Sequence, residues 1–155
     1  MVSKFPMSLV DRIGTADLPP ANFVAADVEA PGGALRVIGI VVRWNEIGRY
    51  LDHLPEASDK NMAKRTIVAG DFNLRPPAAR CHVKRLKQIL SERDLTIHTA
   101  GTHPELADER PLIDHIATTS DLTSGRPIIW PRRVPTFANG AKEVSDHAGS
   151  ALDLP

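Results

Sequence analysis

At 155 residues, with 42% hydrophobic and 25% charged side chains, the chain has the composition of one soluble globular domain with a proper core, which excludes disorder. Nineteen basic residues balance nineteen acidic ones, excluding the global positive field of many nucleic-acid binders while leaving room for a local basic patch. The single cysteine, Cys81, excludes an internal disulfide and suits a reducing compartment. The stretch Met1 to Val10 has no long apolar run behind its charge, and nothing reaches the length of a membrane span, so a cytoplasmic protein is expected.

Pro6, Pro19 and Pro20 limit regular structure over residues 1–21. Phe23 to Glu29 reads as a strand, the Ala30-Pro31-Gly32-Gly33 stretch as a turn, and Leu35 to Val42 as a second strand, antiparallel to the first. The unbroken run Val37 to Val42 predicts burial on both faces. Asn45 is the expected N-cap of a helix whose buried face holds Ile47, Tyr50, Leu51 and Leu54. Pro55 is expected to stop it, leaving Glu56 to Lys64 as a polar loop. A strand follows from Thr66. After Leu74-Arg75-Pro76-Pro77, a helix is predicted over about Ala78 to Arg93, with Val83, Leu86, Ile89 and Leu90 as its buried stripe. Cys81 on that helix reads as a semi-buried structural thiol. Leu95 to Thr99 is extended, Leu112 to Ala117 is a strand, residues 120–142 form a long surface loop, and Ser150 to Leu154 closes the chain as a strand. Strands alternating with helices, with at least one hairpin, predict an α/β fold with a mixed, largely antiparallel sheet covered by helices.

Three short stretches carry the chemistry: Gly70-Asp71-Phe72-Asn73, Ile113-Asp114-His115-Ile116 and Ser145-Asp146-His147, each near the end of a predicted strand. Strand alternation points Asp71 and Asn73 the same way and Phe72 into the body, while Gly70 permits a bend or a close backbone approach. Singly, each has an ordinary explanation. Asp71 and Asn73 could form an Asx-turn, Asp114 could be a strand-edge acid, and Asp146-His147 a loop pair. His115 should face away from Asp114 and serve packing; His53, His82, His98 and His103 match no pattern.

Together and in this order, Gly70-Asp71-Phe72-Asn73, Leu112-Ile113-Asp114-His115-Ile116 and Ser145-Asp146-His147-Ala148 resemble the endonuclease/exonuclease/phosphatase superfamily, the deoxyribonuclease I-like proteins. The resemblance implies the second half of a four-layer α/β sandwich and a divalent-metal-dependent phosphoester hydrolase of phosphodiesterase or nuclease type. It implies that Asp71 orients or deprotonates the attacking water, and that Asn73 holds phosphate or water. It also implies that His147 meets the scissile phosphate, that Asp114 binds the far ring nitrogen of His147, and that Asp146 ligates Mg²⁺ or Mn²⁺. Arg126, Arg132 and Arg133 lead directly to Asp146 and His147 and are candidates to hold a phosphodiester substrate, nucleic acid included.

The sequence departs from the family pattern in two places. None of Glu29, Glu46, Glu56, Glu92, Glu105, Glu109 and Glu143 stands where the family has its main metal ligand, which lies in a first half that is missing here. Residues 1–155 therefore read as a single, partial domain whose partner would be that missing half, and an apolar sheet face should be exposed. At the end of the second strand, where many members carry histidine or tyrosine, Arg43 follows Val42; it could bind phosphate but cannot shuttle a proton. A catalytically dead remnant acting as a binding module and a small-molecule phosphomonoesterase are the alternatives. Trp44 and Trp130 could stack on a base but more simply pack under loops.

Overall fold

The computed structural model describes residues 3–11, 23–76, 80–107, 110–122, 125–135, 141–143, 145 and 147–153. Six strands form the main sheet, in the spatial order β1-β2-β3-β4-β6-β5: β1 (Met7–Asp11), β2 (Phe23–Ala30), β3 (Gly33–Val41), β4 (Thr66–Asp71), β5 (Leu95–Ile97) and β6 (Asp114–Thr119). β3 and β4 run parallel, joined by helix α1 (Ile47–Asn61), and the other pairs in this sheet are antiparallel. Helix α2 (Cys81–Ser91) links β4 to β5. The mixed, largely antiparallel α/β architecture expected from the sequence is thus present. No described helix is long and apolar enough to cross a membrane.

One face of the sheet carries the main core. Phe23, Ala25, Ile38, Ile40, Val42, Val68, Phe72 and Ala117 pack there against Tyr50, Leu51, Leu54 and Ala57 of α1 and the expected stripe Val83, Leu86, Ile89 and Leu90 of α2. Burial of this size dominates the stability of such a layer pair. It also explains the first departure from expectation. α1 runs through Pro55 to Asn61 because Ala57, Ser58 and Asn61 continue its buried face. The proline forfeits one backbone hydrogen bond. Downstream, the Asn61 side-chain amide donates to the Ala57 carbonyl and the Asn61 carbonyl accepts from Arg36 Nη1, while Nε and Nη2 of the same guanidinium donate to Asp27. Asn45 is not the cap: it lies in a 3-10 turn, Trp44–Glu46, ahead of the helix.

α2 begins at Cys81, and residues 77–79, inside its expected start, lie outside the described residues. Cys81 is exposed, not semi-buried. Two residues on a helix turn by about 200°, so a thiol two positions before buried Val83 faces solvent. The stretch expected as a long loop contains three short strands, β7 (Ile128–Trp130), β8 (Arg133–Pro135) and β9 (Ala141–Glu143). Its prolines sit at strand ends, where a missing N–H costs little. β8 pairs with β9, and β7 with the closing strand β10 (Gly149–Ala151), which is shorter than expected.

The other sheet face is only partly covered. Val28, Leu35 and Leu122 bury one end of it, with Phe5, Ala30, Val37 and Ile67 packed alongside. Leu9 and Val41 on this side are 64% and 51% exposed, so the double-sided burial expected for Val37 to Val42 is incomplete and fails at Val41. Apolar side chains are thus exposed on this face of the sheet, as the sequence led one to expect.

Candidate active site

Gly70 permits the site to be built. Its φ of 142° lies outside the range that L side chains favour, and a Cβ there would sit 2.0 Å from the carbonyl oxygen of Ile40, its partner on β3. With β3 and β4 this close, the Val42 N–H reaches the Asp71 carbonyl at 2.7 Å. Phe72 then turns into the core, 1% exposed, and its N–H donates to the Ile113 carbonyl. Asn73 takes up a left-handed conformation, φ 50°, which asparagine tolerates better than most residues. Its backbone N–H donates to Asp71 Oδ1 at 2.8 Å, and its side-chain amide donates to Asp71 Oδ2 at 3.0 Å and to the Val42 carbonyl. The Asx-turn and the presentation of Asp71 are therefore one arrangement.

Asp71 stands directly opposite Asp114 across the antiparallel β4–β6 pair. Like charges in that position repel, and the site answers them with donors. Asn73 bonds Asp71, and His147 Nδ1 lies 2.6 Å from Asp114 Oδ2. The backbone N–H of His147 donates to Ser145 Oγ at 3.0 Å, a local turn that the Ser-X-His spacing foreshadows. The ligand atoms of Asp71, Asp114 and His147 all lie within 4.8 Å of one another. Carboxylate oxygens this close suit a hard divalent cation, so these residues could hold one. Asp146 lies outside the described residues.

A small second core holds the histidine and its acid together. Leu112, two residues before Asp114, packs with Ala148, which follows His147, and with Leu106 and Ile129. Arg132, expected at the substrate, is buried with 6% exposed, and its guanidinium donates to the Arg110 and Pro111 carbonyls at 2.7 and 3.3 Å. In that position it fastens the entry to β6. Arg43 and Arg133 are exposed. Trp44 and Trp130 are exposed as well, 77% and 50%, so neither packs under a loop.

His115 is buried on the core face, as strand alternation predicts. Its Nε2 donates to the Leu74 carbonyl at 2.9 Å. The Thr99 hydroxyl accepts from the Ile116 N–H and donates to His115 Nδ1 at 3.1 Å. This clamp ties the chain just past Asn73 to β6, and Thr99 carried no sequence signal that would reveal it. Burial holds the His115 pKa below its ordinary value of 6.5 against the opposing pull of the Leu74 carbonyl and the Asp114 charge. The ring is a neutral structural group, distinct in role from His147.

No protein-family model and no curated protein matches the sequence. Solved structures do match the fold. The endonuclease domain of TRAS1, a telomere-specific non-LTR retrotransposon, superposes with a TM-score of 0.69 at 18% identity, covering 97% of this chain and 67% of that one. An AP endonuclease from Archaeoglobus fulgidus gives 0.69 at 13% identity, covering 98% and 72%. An endonuclease/exonuclease/phosphatase protein from Beutenbergia cavernae gives 0.62 at 17%, covering 98% and 46%. The chain thus spans between about half and three quarters of the length of these structures. Nearly every part of it finds its counterpart in each of them: the protein is built on the fold of the endonuclease/exonuclease/phosphatase superfamily.

Proposed function

We propose that this chain carries the catalytic half of a divalent-metal-dependent phosphoester hydrolase of the phosphodiesterase or nuclease type. The observation that carries the reading is the convergence of Asp71, Asn73, Asp114 and His147 at one end of two adjacent strands. Asp71 orients the attacking water and takes its proton, while Asn73 fixes the carboxylate with its amide N–H, leaves its Oδ1 to accept from water, and would meet phosphate by giving up its bond to the Val42 carbonyl. Asp114 accepts from Nδ1 of His147, so Nε2 is the nitrogen that gives a proton or hydrogen bond at the phosphate. A divalent ion, when bound, neutralises charge on the phosphate; Asp146, with the Asp71 and Asp114 carboxylates, would hold it. Arg43 and Arg133 are exposed and would steady the substrate's flanking charge. The exposed sheet face would be covered by a second sheet supplied by the other half of the fold.

The test is hydrolysis of bis(p-nitrophenyl) phosphate by this chain with added Mg²⁺ or Mn²⁺. Turnover that EDTA removes is expected, falling by about 10²-fold or more in Asp71→Ala and in His147→Ala with unchanged circular dichroism. Near-normal rates in either variant overturn the assigned roles. No metal-dependent turnover at all favours a binding remnant.

A further inference from the structure

A cavity of about 420 Å³, within the size range of small-molecule sites, has Asn73 in its wall. Its floor is apolar and buried: Leu74, Pro76 and Val83. Its mouth is basic and exposed: Arg75, Arg80 and His82. Among the described residues that line it there is no acidic side chain, in a chain whose charges cancel overall. Two guanidiniums at the mouth attract anions, and an apolar floor beneath them favours a ring over a hydrated ion. The remaining walls come from Ile47 at the start of α1 and from Gly101, Thr102 and Pro111. Asn73 lines the cavity while its amide touches Asp71, so one residue joins the cavity to the acid–histidine cluster.

We propose that this cavity is a second binding site, taking a ring-bearing phosphate, a nucleotide unit of a nucleic-acid strand, next to the phosphate that meets Asp71 and His147. The ring rests on Leu74, Pro76 and Val83, and its phosphate meets Arg75 and Arg80. Its place along a substrate rests on the hydrolase reading above; its capacity to bind does not.

The experiment separates the two. Fluorescein-labelled tetrathymidylate is titrated with the intact chain in EDTA, where nothing turns over, and read by anisotropy at several salt concentrations. Arg75→Ala/Arg80→Ala should weaken binding tenfold or more and reduce the slope of log affinity against log salt by about 1.4, at about 0.7 per phosphate contact for single strands. Thr102→Trp, which fills the cavity from an exposed position, should weaken binding with the slope unchanged. Thymidine 5′-monophosphate should compete well above inorganic phosphate and ribose 5-phosphate. The double variant should hydrolyse bis(p-nitrophenyl) phosphate at the wild-type rate, because that substrate carries no second phosphate. Wild-type affinity in the double variant overturns the site, and ribose 5-phosphate competing as well as the nucleotide overturns the nucleotide assignment. Arginine-dependent binding in a chain without turnover leaves this site standing and removes the hydrolase reading alone.

Discussion

Gly70 and Gly101 both adopt positive φ, 142° and 126°, but their surroundings differ completely. A Cβ on Gly70 would lie 2.0 Å from the Ile40 carbonyl oxygen, whereas one on Gly101 would meet nothing within 4 Å. Gly101→Ala therefore measures backbone strain alone, of order 1–3 kcal/mol. Gly70→Ala adds a clash with a carbonyl held in the β3–β4 ladder, which cannot swing aside like a side chain. Relief requires the two strands to part near Ile40 and Gly70, losing ladder bonds of about 0.5–1.5 kcal/mol each. The total comes to about 3–5 kcal/mol, or a fall of about 6–20 °C in Tm for a domain of this length, against about 2–12 °C for Gly101→Ala. Thermal melts followed by circular dichroism, with urea titrations to check the slope, give both numbers. If Gly70→Ala melts within about 2 °C of the wild type, or no lower than Gly101→Ala, the close approach that shapes the site is wrong.

Acid should destabilise the protein through His115 and His98, whose pKa values burial holds below 6.5. The unfolded chain takes up these protons first, so the stability is fully present above about pH 6.5 and is lost as pH falls below it through the folded values. His115→Gln keeps a donor for the Leu74 carbonyl and should flatten the pH dependence of Tm below 6.5; an unchanged slope refutes the neutral clamp. Asn73→Ala loses the side-chain bonds to Asp71 and Val42 and keeps the left-handed backbone, while Asn73→Gly loses the same bonds but relieves the strain. The glycine variant should be the more stable by about 1 kcal/mol, with turnover impaired alike in both. Equal melts, or the reverse order, would show that φ at this position is not strained.

Several features followed from local sequence alone. Apolar periodicity places Val83, Leu86, Ile89 and Leu90 on the buried face of α2, and strand alternation separates His115 from Asp114, because both depend only on the geometry of a few consecutive residues. The Asx-type hydrogen bond from Asn73 to Asp71 spans two positions and was equally legible. Pro55 misled, because its local cost is set against burial of Ala57, Ser58 and Asn61 that only packing on the sheet creates. The loop expected over residues 120–142 misled for the same reason, since β7 exists by pairing with β10, whose residues lie 19 to 23 positions downstream of their partners.

The sequence by itself determined that Gly70, Asp71, Asn73, Asp114 and His147 exist in strand-end contexts and in an order resembling one family. Only the tertiary structure set Asp71 opposite Asp114 and brought His147 to Asp114 across 33 positions. It also decided that Arg132 is buried under the entry to β6, and that a basic-mouthed cavity adjoins Asn73. Spacing and alternation act over a few residues and can be read along the chain. Which charges face one another, and which are removed from water, depends on long-range pairing that no local pattern encodes.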